Sequence, residues 1–359
     1  MHVIAVSVIA ALFCTSAVVR ADQTRAGQEE APDVVPHVLE EVLVTGEQPG
    51  PGLWKVSKSV ADTNHVLWIV GGHAPLPKKM SWRSREIEAI LAESQRLVTW
   101  ARVDTDFDAG FFATLRAAPL LFSADRNVDG KKLQDVLPAD VYSQWLNLKA
   151  KYLGEDARAE ELRPTFAWKR LRVAAFSQSG LSSEALVEPT VERLARKHKV
   201  KIVQPKAAVL EIKIEKPRAL LKKFKTTQLA DVDCFGPSIA SLEPRIETLK
   251  ARANAWATGD IERLRSMSIA PSSDCEVLFN QAIFNGELAN QMGADESLEK
   301  AREQSKRAET EAIEAWFTAV EAAVAAHPST VAVVPIDNLM RANGVLEGLR
   351  LRGYVVTEP

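Results

Sequence analysis

The residues of this chain that could perform metal-dependent chemistry follow two short apolar segments. His73 comes after the run at residues 68–72, and Asp337 comes after the run at residues 330–334. An open hydrolytic metal centre needs three protein ligands, such as imidazoles and carboxylates, and leaves one coordination position open for water. The chain offers at best His73, Asp104 and Asp337 for such a set, so hydrolysis at a metal ion is one hypothesis for its function.

These residues also have plain structural interpretations. His73 can be a turn histidine whose ring hydrogen-bonds to backbone at the end of a strand. Asp337 and Asn338 are residue types that are favoured at the N-cap of a helix, and they precede a helical pattern. The residues alone therefore leave both a catalytic and a structural interpretation open.

Other motifs that could carry chemistry are incomplete. Residues 125–130 read Asp-Arg-Asn-Val-Asp-Gly, which is the first half of a calcium loop, but Val136 stands where a bidentate Glu is needed. We interpret this stretch as a turn that leads into residues 133–137. The chain has no G-x-S-x-G motif and no glycine-rich phosphate loop, so serine hydrolysis and nucleotide binding have no support.

The elements that must position these residues alternate between strands and helices. Strands are predicted at residues 53–57, 65–70, 200–203, 208–214, 330–334 and 354–357. Helices are predicted at residues 84–98, 140–153, 165–176, 188–199, 239–266, 298–326 and 338–352. In the block at 239–266, Gly259 is expected to end the helix and Asp260 to cap a continuation. The closing strand, helix and strand imply a parallel crossover. We therefore expect an α/β fold with a mixed central sheet, helices on both faces and a helical middle section.

The N-terminal region predicts export. Residues 3–19 are apolar and end in Val19-Arg20-Ala21, which is typical of a signal peptide cleaved after Ala21. A short membrane anchor is the alternative, although a span needs ~20 apolar residues. Residues 22–52 carry seven acidic residues against Arg25 and close on prolines and glycines, so we expect a flexible linker before a domain at residues 53–359. No later segment is long enough to span a bilayer, and the predicted location is periplasmic or secreted.

Two features bear on that location. Cys234 and Cys275 remain after signal removal, and an oxidising compartment favours a disulfide between them, with two buried thiols as the alternative. Residues 196–225 contain eleven Lys or Arg against two Glu, although the net charge of the whole chain is only −2. In an exported protein this stretch indicates an anionic envelope polymer rather than nucleic acid, because Phe224 is its only aromatic residue. A solvated charged face is the alternative.

Three segments in this order resemble the TraB/GumN family, also called TraB/PrgY/GumN, whose relatives include the Tiki metalloproteases. The first is Trp-Ile-Val-Gly-Gly-His-Ala-Pro-Leu-Pro at residues 68–77, and the second is Ala-Asn-Ala-Trp-Ala-Thr-Gly-Asp at residues 253–260. The third is the closing block that ends in Gly-Tyr-Val-Val at residues 353–356. The similarity covers residues 53–359.

The resemblance implies a metal-dependent hydrolase whose ligands are the histidines of two G-x-x-H motifs and a Glu on the strand after the first helix. Gly71 matches the Gly of the first motif, but Ala74 stands at the position of its histidine and His73 lies one residue early. Residues 335–338, Pro-Ile-Asp-Asn, replace the second motif, and no acidic residue follows the first helix before Asp104. All three ligand positions are therefore changed.

We accordingly expect a protein that is not an enzyme, binds no metal or other cofactor, and acts by binding an envelope partner, either an anionic polymer or a protein. The expected remnant of the site consists of Gly71, His73, Ala74, Asp337 and Asn338. An active metal-dependent hydrolase or protease with a displaced ligand set around His73 is the alternative. A structural envelope protein that uses the basic stretch as its contact surface is a third hypothesis.

Overall fold

A computed structural model of the chain describes residues 42–43, 47–60, 63–78, 80–108, 111–121, 123–213, 216–227, 229, 231–267, 274–275 and 297–359. The predicted signal peptide and most of the predicted linker lie outside the described residues. Among the helices of the described part, none is long and apolar enough to cross a membrane.

The strands, in chain order, are short and scattered along the sequence. They are β1 (Glu47–Gln48), β2 (Leu53–Val60), β3 (Thr63–Gly72), β4 (Leu76–Pro77), β5 (Ser81–Trp82), β6 (Arg96–Val98), β7 (Val103–Asp108), β8 (Leu181–Ser182), β9 (Lys201–Val203), β10 (Ala208–Lys213), β11 (Ser329–Pro335) and β12 (Val355–Thr357).

The helices fill the middle of the chain and flank the last strands. They are α1 (Arg85–Glu93), α2 (Phe111–Leu121), α3 (Leu133–Val136), α4 (Ala139–Tyr152), α5 (Pro164–Gln178), α6 (Val187–Lys197), α7 (Pro217–Thr226), α8 (Val232–Ala240), α9 (Leu242–Thr258), α10 (Ile261–Ser266), α11 (Ser297–Ala326), α12 (Ile336–Met340) and α13 (Val345–Leu351). Single 3-10 turns lie at Val128–Gly130 and Ala157–Glu161.

The central sheet has six strands in the order β12-β2-β3-β11-β6-β9. Strands β3, β11, β6 and β9 run parallel, whereas β2 pairs antiparallel with both β3 and β12. This mixed sheet confirms the predicted α/β class. The closing crossover is also present, because β11 and β12 run in the same direction, but β2 and β3 lie between them.

Two hydrophobic clusters support this arrangement. Along β11, residues 330–334 are buried at every position, which means that both faces of the sheet are covered there. Helix α11 supplies part of that cover, since it packs against β3, β6 and β11. A second cluster joins α3, α4, α5, α8 and α9 around Trp145, Trp168 and Phe235, and this cluster is the predicted helical middle section.

A disulfide joins Cys234 of α8 to Cys275, as the cysteine count predicted. An ion pair of 2.9 Å between Arg245 of α9 and the neighbouring Asp274 holds the same place. The backbone N–H of Cys275 also donates to the Ser238 hydroxyl over 3.0 Å. Residues 274–275 are therefore fixed onto the α8–α9 hairpin by three independent bonds.

The predicted helix at residues 84–98 is wrong at its C-terminal end. Helix α1 stops at Glu93, where the hydroxyl of Ser94 donates to the carbonyl of Ile90 over 2.7 Å, and Leu97 and Val98 belong to β6. Their spacing continues the apolar face of the helix, so periodicity could not separate the two structures. Pairing of β6 with β11 and β9 decides in favour of a strand.

The predicted helix at residues 338–352 is likewise two short helices, α12 and α13, with a break around Gly344. A Cβ at Gly344 would lie only 2.6 Å from the carbonyl oxygen of Arg341, so the chain turns there too tightly for a side chain. Asp337 and Asn338 do not precede a helix as caps. Both lie inside α12, whose N-cap is Pro335, because the helix starts directly at the end of β11.

Order begins earlier than Leu53. Strand β1 pairs parallel with β5, and the N–H of Gly50 donates to the carbonyl of Ala257 over 2.9 Å. The part of the predicted linker at residues 47–52 is thus packed against the domain. Val42 and Leu43, which also belong to the predicted linker, have no strand structure.

Candidate functional site

The candidate site lies where three neighbouring parallel strands end. In the register of β3 and β11, Gly72 is opposite Pro335, and in that of β11 and β6, Ala332 is opposite Val98. Because parallel strands end at the same edge of a sheet, the residues after β3, β11 and β6 share one edge. Those are the positions from which the sequence resemblance implies three metal ligands.

The side chains at these positions are poor ligands. Ala74, which stands at the first histidine position and precedes a cis peptide bond to Pro75, is exposed and offers only a methyl group. Asn338 stands at the second, and β6 is followed by the buried Thr99 instead of an acid. Strand topology therefore agrees with a metal site, whereas residue chemistry does not.

His73 is the imidazole at this edge, and it is buried with 6% of its surface exposed. Its Nε2 atom has no hydrogen-bond partner among the described residues. Burial, and secondly the positive charge of Arg252, lower the pKa of His73 from 6.5 to about 4, although the negative charge of Asp337 acts in the opposite direction. The ring is therefore neutral at neutral pH.

The charge beside His73 belongs to Arg252 of α9, whose side chain is only 1% exposed. One guanidinium nitrogen, Nη1, donates to the carbonyls of Leu264, at 3.3 Å, and Met267 at the end of α10. The other, Nη2, donates to Oδ1 of Asp337 in an ion pair. Free carbonyls at a helix C-terminus attract a cation, so the guanidinium joins α10 and α12 through one buried positive charge.

Tight aromatic packing fixes the end of β3. The indole N–H of Trp256, one turn after Arg252 in α9, donates to the carbonyl of Gly71 over 2.8 Å. A Cβ at Gly71 would lie 3.1 Å from both Trp54 and Ile336, closer than nearly all real Cβ contacts. The glycine of the predicted motif is therefore required for close approach of an indole ring and of α12, and no ligand needs to be invoked for it.

Among the residues considered as ligands, the structure brings His73 and Asp337 close together and leaves Asp104 elsewhere. Asp104 is exposed on β7, which pairs with β10 in a separate two-stranded sheet. Within the described part of the chain, no group of three His, Cys, Asp or Glu side chains could hold a metal ion.

Sequence reasoning missed Arg252, which is the most buried charged residue at this edge. A signal was available, because Arg252 lies four residues before Trp256 and thus on the same side of the helix as a residue of the predicted apolar face. It also precedes the alanine-rich segment that carries the family resemblance. The spacing does not predict that Arg252 is buried or that its ion-pair partner is Asp337.

The residues present at the edge do not fit a bound metal ion. A guanidinium already neutralises Asp337, and its fixed positive charge would repel a cation placed beside His73. The neutral imidazole could supply one ligand, but Ala74 supplies none. The buried guanidinium of Arg252 instead joins the C-terminus of α10 to α12.

The calcium-like stretch is a turn, as interpreted above. Asp129 has φ 58°, and the carboxamide Nδ2 of Asn127 donates to the carbonyl of Leu162 over 2.8 Å. Arg126 pairs with Glu161 at 2.8 Å, and α3 begins at Leu133. The polar residues of the half motif are thus used to fasten the turn to the segment before α5.

Comparison with known families agrees with the motifs. The model of the TraB/PrgY/gumN family matches residues 52–358, which is nearly all of the described domain, so the chain belongs to this family. The chain has no significant match among curated proteins or among solved structures.

Proposed function

We propose that this member of the TraB/PrgY/gumN family is an exported protein without metal-dependent hydrolase activity, which acts by binding an anionic polymer or a protein of the cell envelope. One observation carries the non-catalytic part of the proposal. The positive charge of Arg252 acts on His73 and helps to lower its pKa, and the guanidinium is hydrogen-bonded to Asp337, at the strand ends where the family resemblance implies a metal ion.

Electrostatics supports this conclusion. A divalent ion at the edge would have to compete with a buried guanidinium that already has three acceptors, the carbonyls of Leu264 and Met267 and the carboxylate of Asp337. Removing the guanidinium from them would leave polar groups unpaired, at a cost of about 1–3 kcal/mol for each buried group. Arginine cannot relieve the repulsion by losing its proton under physiological conditions.

Export is supported by the disulfide between Cys234 and Cys275, because such bonds persist in oxidising compartments and are rare in the cytosol. The apolar N-terminal run with its Ala21 exit is the second support, and it is a feature of the sequence alone. Together they favour the periplasm or the extracellular space.

An active hydrolase with a displaced ligand set is the second candidate. The observation that favours it is the buried Nε2 atom of His73, which has no partner within the described residues and could bind a metal ion if Arg252 moved away. In that case Asp337, whose side chain is 62% exposed, would be the second ligand at hand.

Metal analysis of the purified chain separates the two candidates. We expect less than stoichiometric zinc or manganese after incubation with either ion and gel filtration, and the same content in the variant His73→Ala. Stoichiometric metal that is lost in His73→Ala would overturn the non-catalytic proposal. The variant Asp104→Ala is the matched control, because Asp104 lies on a different sheet.

A further inference from the structure

Some cations of the basic stretch are neutralised in the structure and others are not. Arg196 at the end of α6 pairs with Glu192 at 2.6 Å, and the next residue, Lys197, pairs with Glu88 at 2.5 Å. Residues 216–227, which comprise α7 with one flanking residue on each side, contain five cations and no acidic residue. Within the described part of the chain, none of these five forms an ion pair.

The cations of α7 point away from its packed side. Arg218, Lys222 and Lys223 are exposed, and Lys225 is half-buried with its Nζ donating to the Ser123 hydroxyl over 3.1 Å. Positions 218 and 222 follow the i, i+4 spacing of one helix face, and position 223 adjoins it, which places three exposed positive charges within about 8 Å along the helix axis. Arg116 of the adjacent helix α2 is exposed as well.

A buried arginine holds this helix in place. Arg163, only 3% exposed, donates from its guanidinium to the carbonyls of Phe224 at 2.8 Å, Lys225 at 3.1 Å and Thr227 at 3.2 Å. Phe224 and Lys225 lie in the last turn of α7 and Thr227 is its C-cap residue, so the guanidinium caps the C-terminus of the helix. The exposed cations therefore stand on a fixed element, which lowers the entropy lost when a partner binds.

The aromatic residue of the stretch is not available for stacking on a nucleic acid base. The guanidinium carbon of Arg163 lies 4.6 Å from the centroid of the Phe224 ring, and Phe166 meets the same ring edge-on at 6.5 Å. Binding of single-stranded nucleic acid relies on exposed aromatic platforms as well as positive charge. A row of cations without such platforms favours a polymer whose charges are regularly spaced and whose rings need not stack.

We propose that the exposed face of α7, with Arg218, Lys222 and Lys223, is the surface through which this protein binds a linear anionic polysaccharide. This inference rests on the proposed function, because it names the partner class and the surface for the binding role. It is independent of the metal question, since α7 does not contribute to the edge that carries His73.

The test is a binding titration of the purified chain with polygalacturonate, which carries a carboxylate on each sugar, and with neutral dextran. We expect binding of polygalacturonate alone, weakened by added salt. The triple variant Arg218→Gln, Lys222→Gln, Lys223→Gln should bind about tenfold more weakly, as expected for the loss of three surface charge contacts.

The matched control is Arg85→Gln, Arg193→Gln, Arg341→Gln, which removes the same charge from three exposed positions on other elements. It should change the affinity by about twofold or less. Equal weakening in both triple variants, or no binding of polygalacturonate by the unmodified chain, would overturn the proposal. Tighter binding to a single-stranded oligonucleotide or to phosphatidylglycerol vesicles than to polygalacturonate would overturn it as well. If the chain bound metal and was catalytically active, yet bound polygalacturonate as expected, the proposed loss of catalysis would be refuted and the proposed binding surface would not.

Discussion

At the scale of single residues, Arg252 decides what the edge of the sheet can do. Its side chain is buried, hydrogen-bonded to two carbonyls and paired with Asp337, and its charge helps to keep His73 neutral. At the strand ends, the positive charge of the Arg252 guanidinium compensates the negative charge of the Asp337 carboxylate.

Replacing Arg252 by Met should destabilise the fold by about 3 kcal/mol, because two helix-terminal carbonyls lose a buried hydrogen-bond donor. Urea unfolding followed by circular dichroism measures this. The control Arg265→Met removes an arginine that is 40% exposed and paired with Glu262 and Glu358 at the surface, and it should cost about 1 kcal/mol or less. Equal losses for the two variants would contradict the role given to Arg252.

His73 should make stability depend on pH. Its pKa in the folded state is about 4, below its ordinary value of 6.5, so between these values the unfolded chain binds a proton that the folded chain does not. Stability is therefore full above pH 6.5 and falls by about 3 kcal/mol as the pH drops to 4. The variant His73→Gln should lack this part of the pH dependence in urea unfolding from pH 4 to 7. Parallel profiles for the two proteins would refute the assignment.

The identity of the edge residues could be predicted from sequence only in part. The motif positions Gly71, Ala74 and Asn338 are identified by the resemblance to the family, and the structure places them at adjacent strand ends. The proximity of Arg252 to His73 and Asp337 depends on how α9 crosses the end of the sheet. No local pattern contains that information, because the contact joins residues separated by more than 80 positions.

At the scale of elements, the end of β3 is held between an indole ring and the start of α12. Trp54 packs against Gly71 on one side, and Ile336 approaches it on another. Gly72, the next residue along the strand, has open space by comparison, since a Cβ there would meet nothing closer than 3.7 Å. A side chain is therefore sterically excluded at Gly71 and tolerated at Gly72, although the two residues are neighbours in the same strand.

The variant Gly71→Ala should lose about 2 kcal/mol of stability, because its methyl group would press against Trp54 and Ile336 in a packed core. Gly72→Ala should change stability by about 0.5 kcal/mol or less, since its methyl group has room and reduces the entropy of the unfolded chain. Thermal unfolding of the pair gives the comparison. A larger loss for Gly72→Ala than for Gly71→Ala would show that close packing is not the reason for the glycine.

Most elements could be predicted from apolar periodicity, and the failures have a common cause. Residues 97–98 and residues 341–344 lie within predicted helices, yet they form a strand and a break between helices. In both places the deciding interaction is tertiary: β6 is inserted between β11 and β9, and α12 starts directly from β11. In the long helical pattern of α11 (Ser297–Ala326) no strand pairing competes with the helix, and its predicted bounds of 298–326 differ from the observed ones by one residue.

At the scale of the whole molecule, the disulfide joins the helical middle to a point between α10 and α11. Cys234 and Cys275 are separated by 41 residues, so the bond closes a long loop in the unfolded chain. Arg245 and Asp274 add an ion pair at the same junction. The disulfide therefore fastens residues 274–275 to the helical middle section, and bonds of this kind persist in oxidising compartments.

The double variant Cys234→Ser, Cys275→Ser should be less stable than the oxidised parent by about 3–4 kcal/mol, because the unfolded state regains the entropy of a long open loop. Guanidinium unfolding measures the difference. Reducing agent should destabilise the parent by a similar amount and leave the double variant unchanged. Insensitivity of the parent to reductant would contradict a structural disulfide in the purified protein.

The central claim is that a neutral His73 and a cationic Arg252 occupy the place of the family's metal centre. The most direct measurement is the nitrogen NMR spectrum of the His73 ring in labelled protein at pH 7, recorded with and without one equivalent of Zn²⁺. We predict the resonances of a neutral imidazole in both spectra, with no change on addition of the ion. A saturable shift of the His73 resonances at one Zn²⁺ per chain, lost in Asp337→Asn, would contradict the claim and support an active metal site.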